Sequence, residues 1–456
     1  MSYNPTDADL RAVQQKTKDI YVKIELLNRN YKIIDSLTGN LINDDLSIDS
    51  SSKQHRTYNC TLYVSDCSFT IGEDKKIWID KYVRVYYGIK QLRGDNVLWW
   101  LIGTFTYSDA NYTYSATDNS LSLSCVDLMA DYDGTKNGII GGYSLTIPAG
   151  EDIRQSIIAL VKQAGITKYK IEDIKKEIPY DLEYSDSTTY CDVWTDICEL
   201  YDSWEFFFDE EGTFIWRQIP TGNSEPVSLD DSILEPLIIS ESSNNTFTGI
   251  YNVTEIWGKV IELEHDDRYA NTSTFANGIY SITLPGITSL DDIDNLDQIG
   301  IRICSNSVAG ASVSINGLAA LPIVNDDGTA VATDRLKADT DYVFSYRRAL
   351  NGEIKNRLNY EKLYSDDLCY NQAEYLTYQS TAMRDTINLT MIIIPWLDVN
   401  QKIEYTPKTS GVTGQYLVQS ISWSTLEGTM NVTLYKFLES FSYVKNKENQ
   451  SERRMI

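Results

Sequence analysis

The chain has 456 residues, among them 32 Tyr, and its 40 Lys and Arg against 65 Asp and Glu leave a net charge of −25. At the usual ~100–200 residues per domain, that length predicts two to four domains with cores of their own. The acidic balance and the lack of any clustered basic stretch exclude stable binding to nucleic acid or anionic lipid. They leave open a channel that DNA passes without sticking.

Residues 1–7 are polar and acidic, with no apolar stretch of the signal-peptide kind, so the reading is a chain made and folded in a cytoplasm. No stretch reaches the ~18 apolar residues of a membrane span. Residues 6–15 have the pattern of a short helix, capped by Thr6 or Asp7, with Leu10 and Val13 on one face. Ile20, Val22, Ile24 and Leu26 then alternate with Tyr21, Lys23 and Glu25, the period of a half-buried strand. The same alternation recurs at residues 60–64, 82–86 and 100–107, and most cleanly at Leu121-Ser122-Leu123-Ser124-Cys125. Short strands parted by Gly, Asn and Asp turns predict a closed or sandwiched antiparallel sheet over residues 18–145.

The period changes after Pro148. Ile153, Ile157, Ile158 and Val161 form a helical stripe that Gly165 stops, and Trp194, Ile197, Cys198 and Tyr201 form a second over residues 187–203. A hairpin, residues 204–208 and 213–218, turns at Asp209-Glu210-Glu211-Gly212. Residues 250–263 read as a strand pair. Residues 264–350 are richer in Asp, Ala, Ser and Thr, with turns at Gly310, Gly317 and Gly328. A helix is expected at 366–384, then strands at 387–394, 416–423 and 430–437. Residues 445–454 read as a polar tail, mobile unless a partner holds it. The fold class is therefore mainly β with an α+β module. The expected domains are residues 1–145, 146–245, 246–263 with 351–440, the insertion 264–350, and the tail 441–456.

Catalytic patterns are scarce. Asp209-Glu210-Glu211 offers paired carboxylates, but a D-E-x-G tip reads first as a solvated turn. Asp291-Asp292-Ile293-Asp294-Asn295-Leu296-Asp297 is dense in oxygens yet lacks the central Gly and terminal Glu of a calcium loop. Glu264-His265-Asp266-Asp267 is an acid–histidine cluster, which reads as a surface ion pair. Trp99-Trp100 reads as hairpin packing before it reads as a sugar platform. Only two histidines exist, and the seven cysteines include no C-x₂-C pair, so most read as buried free thiols. No nucleophile elbow, zinc-protease helix, P-loop or dinucleotide fingerprint is present. No catalytic, cofactor-binding or metal-binding residue is assigned, and structural or binding roles outrank enzymatic ones.

Several segments in order resemble the hub proteins of phage tails and baseplates. Leu37-Thr38-Gly39, Leu46-Ser47-Ile48-Asp49 and Arg56-Thr57-Tyr58-Asn59-Cys60-Thr61-Leu62 are similar to that family's opening strands. Leu101-Ile102-Gly103-Thr104-Phe105-Thr106, Tyr112 and residues 121–128 look like the rest of its first barrel. The helices and hairpin of residues 153–165 and 194–216 resemble the module between its two barrels. Ile250-Tyr251-Asn252-Val253-Thr254-Glu255-Ile256-Trp257-Gly258 looks like its N-x-V-x-V-x-G strand. Ile394-Pro395-Trp396-Leu397-Asp398-Val399, Gly414-Gln415-Tyr416-Leu417-Val418 and Gly428-Thr429-Met430 resemble its second barrel. Within the insertion, Ala309-Gly310-Ala311-Ser312-Val313-Ser314-Ile315-Asn316-Gly317-Leu318 looks like a tail-fibre β-repeat, which leaves a ligand-binding role and a plain insertion equally open.

The resemblance implies two barrel-like hub domains per subunit and a homotrimeric ring that matches a sixfold tail tube to a threefold tip. The lumen would be lined by loops, with acids that let DNA slide. It implies partners in the distal-tail or tube proteins, the tape-measure protein and a tip spike or fibre, and a place in the virion tail. DNA would pass only transiently, membranes would not be stably bound, and no cofactor is expected. Two rivals remain: a tail-associated cell-wall hydrolase, and a carbohydrate-binding adhesin centred on residues 264–350. A chain ending soon after the second barrel would leave cell-wall degradation to another protein.

Overall fold

The computed structural model describes residues 3–38, 41–64, 71–92, 95–115, 119–141, 144–201, 204–219, 229–246, 251, 253–258, 268–293, 297–325, 328–350, 355–381, 384–437 and 450–455. Thr6 opens helix α1 (Asp7–Val13) with a reciprocal cap: its hydroxyl accepts from the Asp9 N–H, and the Asp9 carboxylate accepts from the Thr6 N–H. The alternating segments then become strands: β1 (Ile20–Leu27), β2 (Ile33–Thr38), β3 (Leu41–Asp49), β4 (Arg56–Tyr63), β5 (Tyr82–Lys90), β6 (Val97–Tyr114) and β7 (Asn119–Asp127). Where the period lengthens come β8 (Leu145–Ile147), α2 (Ile153–Gln163), β9 (Tyr169–Ile171), β10 (Leu182–Tyr184), α3 (Tyr190–Glu199), β11 (Trp204–Phe208), β12 (Phe214–Gln218) and α4 (Asp231–Leu234).

The chain continues through β13 (Ile238–Thr246), β14 (Val253–Trp257), β15 (Tyr269–Ala270), β16 (Thr274–Ala276), β17 (Ile279–Ile282), β18 (Gln298–Ile303), β19 (Ser312–Ile315), β20 (Leu321–Pro322), β21 (Thr340–Leu350) and β22 (Lys355–Asn359). It closes with α5 (Asp366–Thr381), β23 (Arg384–Ile392), β24 (Lys402–Tyr405), β25 (Gly414–Ser424), β26 (Thr429–Phe437) and β27 (Gln450–Met455). The chain divides into two units. The first holds residues 1–250, 256–258 and 359–441; the second holds 251–255, 259–358 and 442–456. No helix among the described residues is long and apolar enough to cross a membrane.

The first unit is built on one antiparallel sheet of twelve strands, in the order β13-β23-β26-β25-β3-β4-β7-β6-β5-β1-β2, with β24 paired to β25. Two separate barrels were expected. Instead, Ser420–Trp423 of β25 pair with Leu46–Asp49 of β3, so the N-terminal and C-terminal strand sets form a single sheet. Among the described residues no pairing closes that sheet, which leaves β2 and β13 as its edges. One core serves both sets: Tyr58, Tyr87, Trp100 and Leu123 share it with Trp396, Val418, Trp423 and Val432. Residues 238–246, expected in the α+β module, are the edge strand β13 on β23.

The α+β module of the same unit has its own core. Thr189 caps α3 as Thr6 caps α1, and α3 buries Trp194 against Phe214, with ring centroids 4.7 Å apart. The hairpin β11–β12 turns at Gly212, whose φ of +75° is a conformation other side chains resist. Cys60, Cys125 and Cys191 are buried free thiols and Cys198 and Cys369 are half-buried, but Cys304 is exposed.

The second unit holds a third core, with Tyr280, Ile299, Ile301, Val313 and Tyr346 at its centre. Its sheets run β15-β18-β21-β27 and β16-β17-β19-β20. Of residues 250–263, expected as a strand pair, 251 and 253–258 are described and hold strand β14, while 250, 252 and 259–263 lie outside the described residues. Strand β14 pairs with β22, across the insertion. The expected mobile tail contributes β27, a strand on β21, with Met455 fully buried.

Candidate functional site

The face of the large sheet turned away from its core has an unusual composition. Register sets residues in rows across the strands. One row runs Ser240, Thr390, Asn431, Ser422, Ser47, Thr57; a second runs Ser242, Asn388, Thr433, Ser420, Asp49. A third runs Asp45, Asn59, Ser124, Asp109, and a fourth Asn43, Thr61, Ser122, Asn111. Their strand neighbours, such as Leu389, Val432, Ile421, Ile48, Tyr58 and Leu123, point into the core. These rows cross eight strands and contain only Ser, Thr, Asn and Asp, with no Lys or Arg. Hydrogen bonds tie them crosswise: the Thr390 hydroxyl donates to Asn431 Oδ1 at 2.9 Å, Thr433 to Asn388 Oδ1 at 3.1 Å, and Thr61 and Ser122 meet at 3.2 Å. Such a surface is wet, short-chained and unable to form ion pairs with phosphate.

The two edges of the sheet differ from this face. Ile33 and Ile34 on β2 are 52% and 42% exposed, and Ile239 on β13 is 57% exposed. An open edge with apolar side chains is a ready template for another strand.

A buried ionic junction fixes the module to the sheet. Arg56 of β4, 5% exposed at its side chain, reaches Asp398 with Nη2 to Oδ2 at 2.5 Å and donates to the Ile102 carbonyl. From the hairpin, Glu205 accepts from Arg217 Nε and from Asn400 Nδ2, each at 2.7 Å. The Glu210 carbonyl accepts from the Thr104 hydroxyl at 2.8 Å. Burial pushes the carboxyls of Glu205 and Glu210 up, with Asp398 adding to both. Asp127 is pushed up to about 7 by burial, against the Met129 N–H and the Arg56 charge. His55 stacks on Phe207 at 5.0 Å, and burial followed by the Arg56 charge takes its imidazole down to about 4.

Beside this junction lies a cleft of about 320 Å³ lined by Glu199, Glu205, Tyr201, Trp204, Tyr360 and Lys53, among others. It holds the two carboxylates that a hydrolase reading would require. Both oxygens of Glu205, however, are engaged by Arg217 and Asn400, which suits a structural ion pair better than proton transfer.

Apart from Glu210, whose carbonyl joins the junction, the sequence candidates fall elsewhere. Asp209 accepts from the Glu211 and Thr213 N–H groups and so organises the hairpin turn. Asp292 caps a turn, accepting from the Thr288 and Ser289 N–H groups, which hold its carboxyl below the usual range. Asp297 pairs with Arg268, while residues 294–296 lie outside the described residues. The 264–267 cluster, His265 included, lies outside them too. Trp100 packs in the core near Trp396, and Trp99 covers Gly88 from the opposite face, where a Cβ would come within 2.6 Å of its ring. Among the described residues no group of three or more His, Cys, Asp or Glu is placed to hold a metal. Sequence reasoning missed the polar rows and the Arg56–Asp398 pair. Alternation marks each row residue as outward-facing, but only register assembles them into a surface.

A family model described as a domain of unknown function (DUF5048) matches residues 341–441. No curated protein matches the chain. Among solved structures, the 43 kDa tail protein of prophage MuSo2 from Shewanella oneidensis is similar over 91% of this chain and 98% of its own, at 11% identity and a TM-score of 0.52. The chain has the fold of phage tail proteins. The tail protein of Neisseria meningitidis MC58 is similar over 91% of this chain and 96% of its own, at 10% identity and a TM-score of 0.50. The resemblance read from ordered segments thus holds at the level of the fold.

Proposed function

We propose that this chain is a structural tail hub whose copies close into a trimeric ring, with the Ser/Thr/Asn/Asp face of the sheet turned to a central opening. The observation that carries the reading is that face: eight strands wide, on a tail-protein fold, without one basic residue in its rows. A wall of short uncharged and acidic side chains gives phosphates nothing to neutralise, so DNA or an extended tape-measure protein would slide past it. This revises the expectation of a loop-lined lumen. The open edges supply the means of closure, since a head-to-tail contact between β2 of one copy and β13 of the next generates a ring if the rotation closes. The partners that fit are a distal-tail or tube ring on one side and a tip spike or fibre on the other. The place of action is the virion tail, after assembly in the host cytoplasm, and no catalysis is needed.

Light scattering on the purified chain tests this. The expected mass is three times that of the single chain. Ile34→Lys or Ile239→Lys should give monomers with unchanged melting temperature, because both side chains are exposed. A wild-type chain that stays monomeric at every concentration, or edge variants that trimerise normally, would contradict the ring.

A further inference from the structure

In the wall of the cleft beside the hairpin, each charged side chain is already matched. Lys53 pairs with Asp192 at 3.6 Å, Glu199 with Lys362 at 3.8 Å, and Glu205 with Arg217 at 2.7 Å. An incoming anion would meet Glu199 and Asp192, and an incoming cation would meet Lys53 and Lys362. The charges therefore suit a neutral ligand.

Much of the remaining wall is aromatic and backed by packed protein. Trp204 and Phe206 of β11 stack on the fully buried Trp216, at 6.5 Å and 5.9 Å between ring centroids. Tyr201 is held from behind, its hydroxyl donating to the Glu177 carbonyl at 2.9 Å and meeting the Tyr364 hydroxyl at 3.2 Å. Such rings offer apolar surface that costs little to order when a ligand arrives. Three polar groups of the same wall have no side-chain hydrogen bond among the described residues: the Ser52 hydroxyl, the Tyr360 hydroxyl and the Gln372 amide. They come from the turn after β3, the segment after β22 and helix α5, and they converge on one space. Its volume of about 320 Å³ is at the small end of the ~300–1,000 Å³ of ligand clefts.

We propose that this cleft is a binding site for a neutral saccharide of one or two rings. A pyranose presents the two surfaces the wall can match: an apolar C–H face for Trp204, and a rim of hydroxyls that donate to and accept from Ser52, Tyr360 and Gln372. An aliphatic side chain of a partner would cover the same three groups without bonding them, and burying them unpaired is costly. The sugar is held rather than cleaved, because Glu205 is engaged by both Arg217 and Asn400. The cleft lies within the first unit, and the inference does not depend on the ring or its channel.

The test titrates the intact chain with cellobiose, maltose and N,N′-diacetylchitobiose, read by ligand-observed NMR at millimolar concentrations. N-acetylargininamide and glucose 6-phosphate serve as cationic and anionic controls. At least one of the neutral disaccharides should bind, and more tightly than either control. Gln372→Ala and Ser52→Ala should each weaken that binding roughly 2- to 10-fold, the worth of one hydrogen bond. Trp204→Ala should abolish it, and because Ser52 is exposed and Gln372 half-buried, their variants keep the test valid if the tryptophan variant fails to fold. The inference is overturned if none of the three disaccharides binds, if a charged control binds more tightly than all of them, or if Gln372→Ala and Ser52→Ala both bind as the wild type does.

Discussion

Arg56 is where single-residue chemistry matters most. Its guanidinium is buried, its partner Asp398 lies 342 positions away, and Glu210 and Asp127 face the same charge. Arg56→Leu removes the counter-charge and leaves those carboxyls buried without it, a change that costs about 3–5 kcal/mol in comparable ion pairs. A urea midpoint should register that loss, and Arg56→Leu combined with Asp398→Leu should recover most of it. Asp127 gives a pH signature. A carboxyl whose folded pKa is raised binds its proton more tightly in the folded state. Its contribution is therefore complete below the unfolded value of ~4 and lost as pH rises through about 7. Asp127→Asn, which keeps an acceptor for the Met129 N–H, should gain stability relative to wild type between pH 5 and 8. A stability difference that does not change with pH would contradict this reading of Asp127.

At the scale of elements, local chemistry was legible and pairing was not. The Thr6 cap, the stripe from Ile153 to Val161, and the hairpin turned by Asp209 and Gly212 each rest on neighbours a few residues apart, so the sequence displays them directly. The joining of β25 to β3 rests on Ile421 meeting Ile48, and no local pattern encodes a contact at that separation. The same limit turned two expected barrels into one sheet, and hid both the polar rows and the Arg56 junction. Strand β14 shows the same limit, because its partner β22 lies beyond the insertion. A local prediction remains testable on α3. Thr189→Ala removes the hydroxyl that accepts from the Asp192 N–H and should lower stability by about 1 kcal/mol in chemical denaturation.

For the whole molecule, the reading depends on what the polar face does. If it lines a channel through which DNA slides because nothing holds phosphate, then adding basic residues there should create retention. Asn59→Lys, Ser122→Lys and Asn431→Lys together should make the ring bind duplex DNA in a salt-dependent way, while the wild-type ring does not. Binding by the wild-type ring, or none by the triple variant, would remove the argument from charge. The most direct measurement is an electron cryo-microscopy reconstruction of the assembled oligomer. The account requires three copies around an opening, with Asn59, Ser122 and Asn431 facing it and β2 of each copy meeting β13 of the next. A ring with that face on its outer surface, or with both edges left unpaired, would contradict it.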